Sequence, residues 1–376
     1  MDMIHVYLIA GEASGDQVGG RLMQALQRKS DVTFSGIGGM HMEQQGLRSL
    51  FPMSDLSIMG IFEVLPHIPH LLKRLGETEH DILKKRPDVV VTIDSPGFNF
   101  RIAKRLKKKG FPVIHYTAPT VWAWRPGRAK KAAKLLTHLL TLFPFEPPYF
   151  EKEGLFTTFV GHPLIEMDIS PQRREGFRQR YGYTEEQPLL CLLPGSRQKE
   201  VDKLLPLFVE SLRLLRSHLP DLNILLPVVP HLESSIRDRL KDSALPIRII
   251  SDPQEKIAAM AASNIALAAS GTVALELALT QTPTVIAYKI NPLTAWVMRR
   301  LILTPYVCLV NILLNQRVVP ELLQENCTTE NIVENILKEM QGTQQEKLKE
   351  IRALISPLKG MPSDTAADQI LRLVKR

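Results

Sequence analysis

Four short stretches carry residue types that could handle a phosphorylated substrate and a proton. Ile265–Glu276 reads IALAASGTVALE. An apolar run with strand character is broken by Ser270-Gly271, and from Thr272 the pattern turns helical. Thr272 suits an N-cap, and Gly271 lets a ligand reach the backbone with no Cβ in the way. Unpaired amides at a helix start suit phosphate. Glu276, about one turn past Thr272, could face the same crevice and take a ribose diol; an ordinary strand–helix joint uses the same letters. Leu193–Glu200, LPGSRQKE, repeats the theme: Pro194-Gly195-Ser196 follows a strand and Arg197 opens a helix. A guanidinium there grips phosphate oxygens as a fork. Two such turns in one domain fit a diphosphate better than one.

The other two stretches lie in the first half of the chain. Ile93–Phe100 is IDSPGFNF. Asp94 closes a strand that should be buried, so it either caps the next helix or faces a cleft, where it would take a proton from an attacking hydroxyl. Gly11–Asp16, GEASGD, follows the first strand without the spacing of the dinucleotide fingerprint. It is either a tight turn or a backbone loop (Gly11, Ser14, Gly15, Asp16) facing an interdomain cleft. His67 and His70 sit among prolines, and no Asp-x-Asp occurs, so no metal site is expected. There is no Gly-x-Ser-x-Gly elbow and no P-loop.

The elements that must position these residues alternate. Strand patterns at Ile4–Ala10, Val32–Ser35, Asp88–Ile93 and Pro112–Thr117 are interleaved with helical patterns at Ser14–Gln27 and Asn99–Lys109, with a further apolar segment at Leu135–Phe143. After the prolines of Phe143–Pro148 and Gly161-His162-Pro163 the alternation restarts. Strands are expected at Leu189–Leu193, Asn223–Val229, Ile247–Ile250, Ile265–Ala269 and Thr284–Tyr288, with a helix over Lys199–Leu219. This is the grammar of doubly wound α/β sheets, whose ligands sit beyond the C-terminal strand ends. The expectation is two such domains, 1–165 and 166–350, with a hinge near Gly161–Glu166, and a helical tail over 351–376 that docks back.

The 376 residues suffice for two domains. Apolar content of 44% and charged content of 23% are ordinary for a globular chain. Cys191, Cys308 and Cys327 are far apart, as suits a reducing compartment. The apolar start Ile4–Ala10 lacks a basic leader and reads as a strand, not a signal peptide. No stretch offers the ~20 apolar residues of a membrane span.

The net charge of +8 is local. Between Asp94 and Glu146 there are eleven Lys and Arg and no acid, so the rest of the chain carries 8 − 11 = −3. An anionic surface or ligand is implied near Arg101–Lys134. Leu56–Leu72, apolar but broken by Glu63, Pro66 and Pro69, is either core or a face that dips into a membrane surface. Val121–Lys131 mixes aromatic and basic residues as single-strand binders do, but on an enzyme-like two-domain frame, so no nucleic acid is expected.

Taken together, GEASGD, DSPGFN, TVWAWRPGR, FPFEP, VGHPL, LLPGSRxxE, ASGTxALE and the late VN-x₁₂-ELLQ run in order from Gly11 to Gln324. In this the chain resembles the lipid-A-disaccharide synthases, inverting glycosyltransferases. The resemblance implies the GT-B fold, two Rossmann-like domains facing a central cleft, with no metal and no cofactor. It implies UDP-2,3-diacylglucosamine (a UDP-diacylglucosamine) as donor and 2,3-diacylglucosamine 1-phosphate (lipid X) as acceptor. The product would be the β-1,6-linked disaccharide 1-phosphate plus UDP. It also implies a peripheral place on the cytoplasmic face of the inner membrane of a Gram-negative bacterium, with Leu56–Leu72 and Arg101–Lys134 meeting an anionic membrane. Asp94 matches the family's essential aspartate, the base on the acceptor 6-hydroxyl. Ser196, Arg197 and Glu200 match the phosphate-handling turn. Ser270, Gly271, Thr272, Leu275 and Glu276 match the UDP-binding turn, and Asn311 and Gln324 match positions near the nucleotide. Some members exchange the C-terminal segment in a homodimer, which would hand Asn311 to a partner's site.

Overall fold

The computed structural model describes residues 3–56, 68–123 and 127–375. The chain divides into two compact units: unit 1 is Met1–Glu166 with Ile355–Arg376, and unit 2 is Met167–Leu354. The tail is therefore part of unit 1 rather than a separate element.

Unit 1 holds six strands, β1 (Ile4–Ala10), β2 (Val32–Ile37), β3 (Val89–Ile93), β4 (Val113–Tyr116), β5 (His138–Thr141) and β6 (Thr157–Phe159). All pair parallel, in the order β2-β1-β3-β4-β5-β6. Every residue of β3, VVVTI, is buried. A parallel strand covered on both faces reads as a continuous apolar run rather than an alternating one. Helix α1 (Ala13–Lys29) follows β1 and helix α2 (Pro96–Lys107) follows β3. Both start earlier in the chain than the periodicity alone suggests. Pro96 occupies the first turn of α2, where its missing N–H costs nothing, and Ser14, Gly15 and Asp16 lie in the first turn of α1. The apolar stretch Leu135–Phe143 resolves into the end of a helix, Gly127–Leu135, followed by β5.

Unit 2 repeats the plan with β7 (Leu189–Leu193), β8 (Asn223–Pro227), β9 (Ile247–Ile250), β10 (Ile265–Ala268), β11 (Thr284–Tyr288) and β12 (Glu321–Leu323), again parallel, in the order β12-β11-β10-β7-β8-β9. Helix α3 (Gln198–His218) follows β7, α4 (Val273–Leu279) follows β10, and α5 (Pro292–Leu301) follows β11. On α3, Val201, Leu204, Leu205, Phe208, Leu212 and Leu215 are all buried at helical spacing. They pack on the strands' Leu190, Leu192, Ile224 and Leu226. Burying each such side chain stabilises the fold by about 1.5–3 kcal/mol. The last helix, α6 (Pro362–Val374), returns to unit 1. Its Ala366, Ala367, Ile370 and Leu371 join Leu22, Met23 and Leu26 of α1 in one core.

In each sheet the first strand has the second on one side and a later strand on the other. The order reverses between β1 and β3 in unit 1 and between β7 and β10 in unit 2. In open α/β sheets such reversal points leave a crevice beyond the carboxyl ends of the strands, where ligands bind. The turns singled out by sequence stand at these two places. Among the described residues, no helix is long and apolar enough to cross a membrane.

Candidate active site

At the reversal point of unit 1, the turns after β1 and β3 come together. Ser14 Oγ lies 3.4 Å from Asp94 Oδ2. A Cβ on Gly11 would sit 2.7 Å from both Cβ and Oγ of Ser95, so this close approach requires glycine. Asp94 and Ser95 are both left-handed, with φ of 52° and 45°. Asp tolerates that region because its short side chain bonds locally, and Asp94 Oδ1 accepts from the Ser95 amide at 3.0 Å. Non-glycine residues held this way cost about 1–3 kcal/mol each and cluster at functional sites. Asn99, fully buried on α2, secures the kink by donating from Nδ2 to the carbonyls of Asp94 (2.7 Å) and Ile93 (3.2 Å). Asp94 does not cap α2: Ser95 occupies that position and makes no side-chain cap bond. The Asp94 carboxylate is left half-buried at the strand end.

Asp16 is a correction to the sequence reading. Its carboxylate is buried and accepts from the amides of Gly39 (2.8 Å), His41 (2.9 Å) and Met42 (3.1 Å). It caps the short helix Met40–Glu43 and offers nothing to a ligand. Gly15 is likewise buried within α1. Of the four residues Gly11, Ser14, Gly15 and Asp16, Ser14 borders Asp94 and Gly11 borders Ser95.

At the reversal point of unit 2 lies a cavity of about 410 Å³. Two similar turns form one side. Gly195 and Gly271 have φ of +123° and +149°, open only to glycine without strain, and each is followed by a residue that leads into a helix. Ser196, Arg197, Ser270, Gly271 and Thr272 all line the cavity. The Arg197 side chain is 67% exposed and is held at 3.2 Å from Glu200 by a surface ion pair. Thr272 is itself in helical conformation and its hydroxyl makes no cap bond, contrary to the capping role its sequence position suggests. Because α4 spans only seven residues, the turn's amides matter more here than a long helix dipole. The opposite side is apolar and comes from the ends of β8 and β9, with Pro227, Val228, Val229 and Ile250. That wall would suit a flat heterocycle.

Three carboxylates line this cavity, those of Glu200, Asp252 and Glu276. Glu200 ties down the first turn: its Oε2 accepts from the Ser196 amide at 3.2 Å, and its Oε1 from Arg197 Nη1 at 3.2 Å and from the Tyr288 hydroxyl at 3.4 Å. A Cβ on Gly195 would meet Glu200 Oε2 at 2.5 Å. Burial and the Glu200 charge raise the Tyr288 pKa, so the phenol stays protonated as donor. Glu276 Oε2 lies 2.5 Å from Lys256 Nζ, an ion pair set in the cavity wall. Sequence reading missed Lys256 and Tyr288. Both reach the site through space, from elements with no turn motif of their own.

Three residues assigned to nucleotide contact do not line the cavity. Leu275 is fully buried in the core. Asn311 is fully buried, and all four hydrogen-bonding positions of its amide are used: Nδ2 donates to Val319 O and Glu321 Oε1 (2.8 Å each), and Oδ1 accepts from the amides of Val318 (2.9 Å) and Val319 (2.8 Å). It shapes the loop before β12. Gln324, with φ of 52°, sets its side-chain amide against the backbone of Ile290; with the amide turned so that its nitrogen faces Ile290 O (3.3 Å) and its oxygen faces Ile290 N (3.1 Å), both groups are satisfied.

Of the expected membrane segments, residues 57–67 and 124–126 lie outside the described residues. Leu56 is buried in the core and Leu72 is 52% exposed. Lys104, Lys107 and Lys108, on and just after α2, and Lys130, Lys131 and Lys134 of the helix Gly127–Leu135 are exposed.

Two parallel-sheet Rossmann-like units, with a nucleotide-sized cavity at the reversal point of the second, define the GT-B class of nucleotide-sugar enzymes. Solved structures agree on the fold. MurG of Acinetobacter baumannii matches with a TM-score of 0.56 at 16% identity, over 98% of this chain and 99% of that one. A UDP-GlcNAc 2-epimerase from Neisseria meningitidis, bound to UDP-GlcNAc, matches with a TM-score of 0.64 at 14% identity, over 99% and 100%. Sequence narrows the class. The lipid-A-disaccharide synthetase family model matches residues 6–372. The lipid-A-disaccharide synthase of Rhodospirillum centenum is 47% identical over 385 residues, 100% of this chain and 96% of that protein. That of Paramagnetospirillum magneticum is 47% identical over 382 residues, 99% and 98%. The chain belongs to the lipid-A-disaccharide synthetase family, and is a glycosyltransferase of lipid A biosynthesis.

Proposed function

We propose that the chain joins UDP-2,3-diacylglucosamine to 2,3-diacylglucosamine 1-phosphate, with Asp94 as base and the unit 2 cavity as the donor site. The acceptor O6 forms a bond to the donor C1 as the bond from C1 to the β-phosphate oxygen breaks. The O6 proton passes to Asp94, and UDP leaves with the electron pair. Attack from the face opposite the leaving group inverts C1 and gives a β linkage. The observation that carries this reading is the pair of glycine turns at the ends of adjacent β7 and β10, with Arg197 at their rim. Their amides and the guanidinium suit the charge that develops on a departing diphosphate. Glu276 would take the ribose diol, with Lys256 orienting its carboxylate through their ion pair. The exposed lysines of α2 and of Gly127–Leu135 support contact with an anionic membrane, to which each basic residue contributes about 1 kcal/mol.

Two variants separate the roles. Asp94→Ala should lower kcat roughly 10²–10⁴-fold while UDP affinity, measured by calorimetry, stays the same. Arg197→Ala should weaken UDP binding or lower kcat with the fold intact. An Asp94→Ala enzyme turning over at the parental rate removes the base assignment. UDP affinity and kcat both unchanged in Arg197→Ala would remove the diphosphate role given to Arg197.

A further inference from the structure

We infer that unit 2 carries its own docking surface for an anionic lipid bilayer, built on α5 and the segment that follows it. Trp296, Leu301, Leu303 and Val307 are 56%, 48%, 62% and 37% exposed. One short run thus holds four of the large apolar side chains that this chain leaves in water. Clustered exposure of this kind marks an interaction surface rather than chance.

The charge of the region selects the partner. From Leu277 to Pro320 the sequence has no Asp or Glu, while Lys289, Arg299, Arg300 and Arg317 are all basic. Arg299 and Arg300 sit in the last turn of α5, beside the apolar side chains. Arg299 pairs with Glu325, an exposed contact that an anionic headgroup could replace at little cost. The Arg300 guanidinium stacks 3.5 Å from the centre of the Trp296 ring. A tryptophan with a basic residue stacked on it is suited to the boundary between headgroups and acyl chains. A second protein with a complementary face would need acids to match these arginines, whereas an anionic bilayer supplies both the charge and the apolar medium.

The inference rests on the reading that the substrates are membrane lipids, but its test is independent of catalysis. Full-length protein is sedimented with phosphatidylethanolamine–phosphatidylglycerol vesicles and, separately, with phosphatidylcholine vesicles. Leu303→Ser and Arg300→Gln are compared with the parent and with a charge-removal variant at Lys107–Lys109 of unit 1. Leu303 and Arg300 are exposed, so the fold should persist, as circular dichroism and UDP binding will report. Each change should lower binding to the anionic vesicles by roughly 3- to 10-fold, the scale of one basic residue or one buried side chain at the interface. The Arg300→Gln loss should disappear at high salt and on phosphatidylcholine. Unchanged vesicle binding in both variants overturns the inference. So does an altered sedimentation coefficient in solution with vesicle binding intact, which would make this face a contact between copies of the chain. If only the unit 1 variant fails to lose binding, the membrane reading of unit 1 falls while that of unit 2 stands.

Discussion

Asp94 can face a substrate because its neighbours handle the backbone's needs. Asn99 holds the carbonyls of Ile93 and Asp94, the Asp94 amide donates to Tyr116 O at 2.9 Å, and Gly11 makes room for Ser95. A second carboxylate in unit 1 shows the opposite arrangement. Glu146 is buried, accepting from the amides of Leu142 (3.1 Å) and Phe143 (3.0 Å) and from Trp122 Nε1 (3.3 Å). Burial pushes its pKa up to about 7, against the pull of those bonds. A raised acid keeps its proton longer when folded, so its contribution is fully present below about pH 4.5 and is lost as pH rises through 7. The loss is on the order of 3 kcal/mol. Glu146→Gln should flatten that part of the curve of thermal midpoint against pH. A curve that keeps its downward component over this range would show that Glu146 is ionised throughout.

At the scale of elements, the helix that closes unit 1 is a packing device. Ile370 and Leu371 of α6 fill the groove along Leu22 and Leu26 of α1. Arg28–Asp364 (2.9 Å) and Lys29–Asp368 (2.8 Å) flank it as exposed ion pairs. Exposed pairs contribute about 0–1 kcal/mol, so the apolar seam dominates. Ile370→Ala should cost about 2–5 kcal/mol, read as a lower denaturant midpoint for unit 1, whereas Asp368→Ala should barely move it. Equal effects of the two would mean that charge, not burial, seats the helix. Much of this level was legible in the sequence. The buried strands announce themselves as apolar runs, and the turns after β7 and β10 as glycines between strand and helix. What could not be read is how turns reach across space. Asp16 looks like a loop acid but bonds amides more than twenty residues away. Asn311 and Glu321 look polar and available but satisfy each other inside the core. Lys256 lies in no motif, yet it faces Glu276.

At the scale of the whole molecule, the two units should respond differently to acid. His115, His138 and His162 all belong to unit 1, and burial lowers their pKa values to about 3, 4 and 4. A depressed base binds fewer protons folded than unfolded. Its contribution is present above about pH 6.5 and is lost as pH falls toward 4. Three such groups outweigh Glu146 in this range. Amide hydrogen exchange followed from pH 7 to 4.5 should therefore show β4 and β5 losing protection before β7 and β10. Simultaneous loss would show that the two units unfold as one.

The way unit 1 is assembled from both ends of the chain bears on its birth. A ribosome completes Met167–Leu354 while the groove along Leu22 and Leu26 still lacks its cover. Unit 2 can settle during translation, but the lobe begun first is finished last, once the final helix clears the exit tunnel. Until then that groove stays open to chaperones.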